Sequence, residues 1–287
     1  MAEPAGAARP AQAGPFERDT AVTCAERSET AAVFDADVAD GWRAGRGPHG
    51  GYLAAMLLRA LIETVADEQR SPRSLTIHYA RAPEPGPVSI RTAIERAGRS
   101  LSTLSARMEQ DGRLMALVLG AFSVPWEAPE IDDLPMPDVE GPDVERTAGT
   151  AVQFGAPPFT EHLVMQPRFH GRPLTGERRP MELGAWIGLA EARTTDALSV
   201  AFFTDALIPT PFMATGAPAA APTIDLTIHF RQALPRVEDR ATNPLCYAHM
   251  SSKLLHEGFF EEDGVVWAAD GTVLAQSRQL ALLMPVG

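Results

Sequence analysis

Two stretches of this chain spell nearly the same words, and that repeat restricts the architecture more than any single motif does. Leu75-Thr76-Ile77-His78-Tyr79 reappears as Leu226-Thr227-Ile228-His229-Phe230, 151 residues further on (75 to 226). Asp111-Gly112-Arg113-Leu114 and the apolar run behind it are matched by Asp270-Gly271-Thr272-Val273 and its own run, 159 residues on (111 to 270). The order persists and the two offsets differ little, so one unit is built twice. The boundaries follow from composition: residues 1–14 as a disordered tail, 15–126 as the first unit, 127–158 as a linker rich in Pro, Gly and Asp, and 159–287 as the second unit. The linker reads as a solvated acidic connector.

Within the first unit, Gly50 to about Ala66 is rich in strong helix formers and apolar almost all round until Arg59, which predicts a buried helix. Segments 74–80, 87–96, 100–110 and 113–124 are β-rich or apolar, and Pro-Gly, Ala-Gly and Asp-Gly punctuate them as antiparallel turns would. The second unit repeats the order, with an expected helix over the apolar run 181–192 and strands near 222–231, 245–255, 257–269 and 273–284. A buried helix followed by an antiparallel meander, twice, is an α+β fold.

Composition excludes several functions. Lys and Arg number 25 against 37 Asp and Glu, for a net charge of −12, which opposes binding to nucleic acid. No window approaches the roughly 18 uninterrupted apolar residues of a membrane span, and the first residues lack the pattern of a secretory signal. The two cysteines, Cys24 and Cys246, are too few for a disulfide framework, so a reducing, cytoplasmic setting is expected. No P-loop, zincin or serine-hydrolase motif is present, and no pair among the seven histidines has a recognised metal spacing. Neither a metal nor another cofactor is expected.

Gly45, Gly47 and Gly50 fit a dinucleotide fingerprint in spacing, but the polar lead-in from Ala36 to Trp42 is not the buried parallel strand that the fingerprint needs. Gly50 and Gly51 at a helix start have two readings: backbone N–H groups open to an anion or a polarised carbonyl, or room for tight packing. His78 and His229 hold matching repeat positions, which favours a structural role. Asp225 is different. Alternation puts Ile224, Leu226, Ile228 and Phe230 on one face of a strand and Asp225 on the other, where it is either an exposed strand Asp or a functional carboxylate. Its repeat counterpart is Ser74, so the fold does not demand an acid there. Gln279 alternates with the small residues Ala275, Ser277 and Ala281, and its counterpart is Gly120. Ser251 and Ser252 are candidate hydroxyls on the strand between.

These segments resemble the type II acyl-CoA thioesterases, which are two fused hotdog domains in one chain. The likeness spans roughly residues 28–285 and rests on HGGYLAAMLLRAL, PTIDLTIHF, EEDGVVWAADG and AQSRQLALL in that order. It implies that each domain is a buried helix wrapped by an antiparallel sheet. It further implies a catalytic Asp, hydroxyl and Gln that orient a hydrolytic water, carried over to Asp225, Ser251 and Gln279, with Ser252 as the alternative hydroxyl. Leu226 follows the Asp where better-known members have His, so the substrate range does not transfer.

The expected function is therefore hydrolysis of an acyl-CoA to the free acid and CoA, within fatty acid metabolism. Gly50, Gly51 and the adjoining Tyr52 are the expected substrate-binding positions, and Arg43, Arg46, Arg231 and Arg236 are candidates for the CoA phosphates. The alternative is a non-catalytic acyl-CoA-binding or scaffolding protein on the same repeat. Acyl-CoA is the expected partner, without nucleic acid or membrane, and the double chain could assemble as a homo-oligomer.

Overall fold

The computed structural model describes residues 13–45, 47–143, 156–169, 171–191, 193–216, 219–236 and 245–285. Most of the expected tail therefore lies outside the described residues, and the first element among them is helix α1, Pro15–Asp19. Strands β1 (Thr23–Arg27) and β2 (Ala31–Val38) precede helix α2 (Gly50–Val65), and β3 (Ser71–Tyr79), β4 (Gly86–Ala97), β5 (Leu101–Gln110) and β6 (Arg113–Ser123) follow it. The second unit supplies β7 (Leu163–Pro167), β8 (Glu182–Leu189), helix α3 (Ala197–Phe203), β9 (Thr223–Phe230), β10 (Cys246–Ser251), β11 (Phe259–Trp267) and β12 (Val273–Leu282). Two-residue ribbons and three short 3-10 turns, Asp40–Trp42, Pro158–His162 and Thr210–Met213, complete the set among the described residues.

The long strands form one antiparallel sheet in the order β1-β2-β4-β5-β6-β3-β9-β12-β11-β10-β8-β7. The second six are the first six in reverse, each numbered six higher, so the repeat seen in the letters is a repeat in space. The halves meet where β3 pairs with β9. Thr76 faces Thr227, Leu75 faces Ile228 and Ile77 faces Leu226, so the repeated motif pairs with its own copy about a pseudo-twofold. The two threonine hydroxyls lie 3.1 Å apart on that axis.

Helix α2 runs through the core because nearly every side chain from Gly51 to Leu61 is apolar and buried, leaving Arg59 to bond Glu17 and Thr20. Burial of Met56, Leu57, Leu58 and Leu61 stabilises the fold by roughly 1.5–3 kcal/mol each. His49 caps the helix start by accepting the Gly51 N–H, and Ala66 ends it in the left-handed region at φ 48°. Helix α3 occupies the equivalent place in the second half but is much shorter.

The run at 181–192 is a strand over Glu182–Leu189, and the helix expected there lies later, at Ala197–Phe203. Its burial explains the misreading. From Leu183 onward the strand is buried on both faces, so it shows a continuous apolar run in place of alternation. The cover on its outer face is the linker. Leu134, Met136 and Val139 pack on Trp186, Tyr247, Trp267 and Val273. The Trp186 and Trp267 indole N–H groups donate to the carbonyls of Glu140 and Leu134. Residues 134–140 thus lie as a strap on the sheet where a solvated connector was expected, 127–133 are exposed as that expectation has them, and 144–155 lie outside the described residues.

Candidate active site

Sequence position and sheet register together decide which side chains can meet. Gln279 stands opposite Leu226 on β9 and opposite Glu262 on β11, and cross-strand neighbours share a face. Leu226 belongs to the core, so Gln279 and Glu262 also point inward, and both are buried. Asp225 pairs with Leu280, the residue whose side chain alternates away from that of Gln279. Asp225 therefore projects from the opposite face, beside His78, and does not join Gln279. Ser251 likewise shares the outer face with Tyr247 and His249, while Ser252 turns inward.

A β-bulge supplies the hydroxyl. The pairing of β9 with β12 slips between Thr223 and Asp225, so Thr223 faces the inward-pointing Ala281 although it stands two residues from the outward-pointing Asp225. The Thr223 hydroxyl donates to Gln279 Oε1 at 2.7 Å. Gln279 Nε2 donates to Glu262 Oε1 at 2.8 Å. Glu262 Oε2 accepts the backbone N–H of Thr210 at 2.9 Å, and the Thr210 hydroxyl lies 2.7 Å from that of Ser252.

The acid of the cluster is Asp205, which the sequence reading did not single out. It follows α3 by two residues, and its Oδ2 accepts the Gly51 N–H at the start of α2 at 2.8 Å. His49 Nδ1, which accepts the same N–H at 3.1 Å, lies 3.7 Å from Oδ2. Burial raises the Asp205 pKa from 3.8 to about 7, opposed by the Gly51 N–H and the Gln279 amide. Burial also raises Glu262, with the nearby Asp205 charge adding to the effect, while Thr210 and Gln279 act against it. Burial lowers His49 to about 3, leaving it neutral among Phe159 and Phe202. Tyr79, held above its ordinary range by burial, donates to the Gly50 carbonyl at 2.9 Å.

Both readings of the paired glycines meet here. A Cβ on Gly50 would come within 2.7 Å of Asp205 Oδ2, and one on Gly51 within 2.7 Å of the Phe202 carbonyl. Tight packing of α2 on α3 brings the acid to the helix start, where its charge meets an N–H group and the positive end of the helix. Tyr52 is fully buried, stacked on Trp42, with its hydroxyl donated to the Asp19 carbonyl, so it braces the first unit. Arg236 is paired with Asp270 and Arg43 with Asp40, Arg231 is exposed, and Arg46 lies outside the described residues. His78 and His229 are exposed on the outer face. Among the described residues, no group of three His, Cys, Asp or Glu side chains could hold a metal ion, and no helix is long and apolar enough to cross a membrane.

The first half has the same frame without the polar side chains. Gly120 stands opposite Leu75 as Gln279 does opposite Leu226, and the strand bulges between Pro72 and Ser74 as it does between Thr223 and Asp225. Leu104 takes the place of Glu262. The polar cluster thus belongs to one copy, and the other copy's helix start completes it.

Asp205 carried one sequence signal: between Asp196 and Asp225 it is the single ionisable residue in a strongly apolar stretch. Glu262 carried another, since alternation aligns it with Phe260, Gly264 and Val266 on the buried face. Nothing in the letters marked Thr223, because its orientation depends on the bulge.

A buried acid, an amide and a hydroxyl thus gather at a helix start between the two antiparallel copies. Comparison gives the family. The acyl-CoA thioesterase N-terminal domain matches residues 38–123, and the acyl-CoA thioesterase C-terminal domain matches residues 132–283. The chain belongs to this acyl-CoA thioesterase family. It is 25% identical over 282 residues to an uncharacterized protein of Mycobacterium tuberculosis, covering 88% of this chain and 91% of that one. Among solved structures, a conserved protein of unknown function with a hot dog fold from Alicyclobacillus acidocaldarius superposes with a TM-score of 0.85 at 22% identity, covering 96% of this chain and 100% of the other. An acyl-CoA thioesterase II from Mycobacterium marinum superposes with a TM-score of 0.71 at 16% identity, covering 95% and 99%. These likenesses give the hotdog architecture.

Proposed function

We propose that the chain hydrolyses acyl-CoA thioesters with water as nucleophile, at a site made by Asp205, Thr223 and Gln279. The observation that carries this reading is the convergence of the three on the α2 N-terminus: Thr223 bonds Gln279, and Asp205 is held by Gly51 and favoured in its charged form by Gln279. Asp225 and Ser251 of the sequence reading give way to Asp205 and Thr223, and Gln279 is retained.

The chemistry follows from the hydrogen-bond polarity. Thr223 gives its proton to Gln279, so its remaining lone pair accepts from a water, and the Asp205 carboxylate accepts the other proton. Both protons thus engaged, the water presents a lone pair to the thioester carbon. Asp205 takes a proton as the C–O bond forms, and the C–S bond then breaks as that proton passes to the departing CoA sulfur. A group with a pKa near 7 is matched to both transfers. The Gly50 N–H has no acceptor among the described residues and would serve the oxyanion, an interaction worth on the order of 3 kcal/mol. Hydride or redox steps are not needed for this balance.

Thiol release from a panel of acyl-CoAs tests the proposal. Wild type is expected to turn over at least one member, Asp205→Asn to lose roughly 10²–10⁴-fold in kcat, and Gln279→Ala to fall with it. Binding without turnover by wild type would instead establish the scaffolding alternative.

A further inference from the structure

We infer that Glu262 is a positioning residue for this reaction, fixing which end of the Gln279 amide faces Thr223 and which faces the acids. The inference rests on the site proposed above. A terminal amide has nearly the same shape either way round, so only its partners choose the orientation. Thr223 cannot choose, because a hydroxyl both donates and accepts. Glu262 can. In the carboxylate form that the Thr210 and Gln279 donors favour, its Oε2 is occupied by the Thr210 backbone N–H, an obligate donor, and its Oε1 is left as an acceptor that requires Nε2 of Gln279. With Nε2 so committed, Oε1 of Gln279 turns to Thr223 and takes its proton. The second hydrogen on Nε2 remains for the Asp205 side.

The relay therefore has one direction, from Thr223 through Gln279 to Glu262, and that direction makes Thr223 an acceptor toward the water. Reversed, the amide would donate to Thr223 and turn a carbonyl oxygen toward Asp205, repelling the carboxylate that must form. Glu262 is anchored well enough to set the direction, being 4% exposed and held by both carboxyl oxygens. Two further observations agree. A buried acid on an inward strand position has no ion-pair partner among the described residues, so stability does not account for it. In the first half, where Gly120 replaces the amide, Leu104 replaces the acid.

The test is steady-state hydrolysis by wild type, Glu262→Gln, Glu262→Met and Gln279→Ala on one acyl-CoA, with thermal melts of each. In Glu262→Gln the new amide must accept from Thr210 with its oxygen, so it presents N–H to Gln279 and forces that amide to reverse. We expect kcat to fall about 10–100-fold with KM changed less than about threefold, a split that loss of packing would not produce. Glu262→Met, which removes the acceptor without adding a donor, is expected to fall less than Glu262→Gln. A folded Glu262→Gln with wild-type kcat, beside an inactive Gln279→Ala, overturns the positioning role and leaves the proposed function standing. If Glu262→Gln fails to fold, a wild-type kcat in Glu262→Met does the same. Wild type that releases no thiol overturns both.

Discussion

Replacing Asp205 by Asn should change how stability depends on pH as well as activity. Its pKa rises from 3.8 in the unfolded chain to about 7 in the fold, because burial penalises the charge more than Gly51 and Gln279 favour it. Between those values the native state keeps a proton that the unfolded state has released, so stability falls as pH rises through the window. The sign is that of a raised acid: the contribution is fully present below about pH 4 and gone above about pH 7. A rise of this size corresponds to about 4 kcal/mol across the window. Asn cannot titrate but keeps an oxygen for the Gly51 N–H. The assay is chemical unfolding of wild type and Asp205→Asn at half-unit steps from about pH 4.5 to 7.5. The difference between the two should shift by several kcal/mol in favour of the variant as pH rises. Glu262, also raised by burial and by Asp205, titrates more easily once that charge is gone, so the variant keeps a shallower slope of its own. A difference that stays flat over the range would refute the burial argument.

In the same window kcat should climb about tenfold per pH unit below about pH 7 and level off above it, since the base must be ionised, and pH-rate profiles read this directly. Asp225→Asn and Ser251→Ala, on the outer face, should leave kcat close to wild type in the thiol-release assay. Gly51→Ala should cost about 1–3 kcal/mol in thermal or chemical melts, because its Cβ would meet the Phe202 backbone, which has no side-chain freedom with which to yield. The same variant should slow turnover by moving Asp205.

The letters carried the duplication, the long helix and the run of longer strands that follows each helix, because turns and half-buried strands leave local marks. They did not carry β8, whose two buried faces erase the period that separates strand from helix. The site was legible in part for a similar reason. Gln279 alternates with small residues along a regular strand, so its inward direction could be read. Thr223 and Asp225 lie on an interrupted strand, where counting by twos assigns both to one face and the bulge parts them. Asp205 sits beyond a seven-residue helix with no period to anchor it, and its isolation as a charge, the one mark it bears, was not enough to single it out.

The self-paired Thr76 and Thr227 strands have a consequence for the number of reaction centres. Two separate copies joined by a true twofold would carry every substitution in duplicate and present two equal clefts. Covalent fusion removes that obligation. Here the mirrored place has Gly120 packed under Leu61, with Pro72 and Leu104 standing where Thr223 and Glu262 stand in the other copy. On the proposed function, one chain processes a single CoA ester at a time, its N-terminal half lending a helix end to the polar groups of its twin.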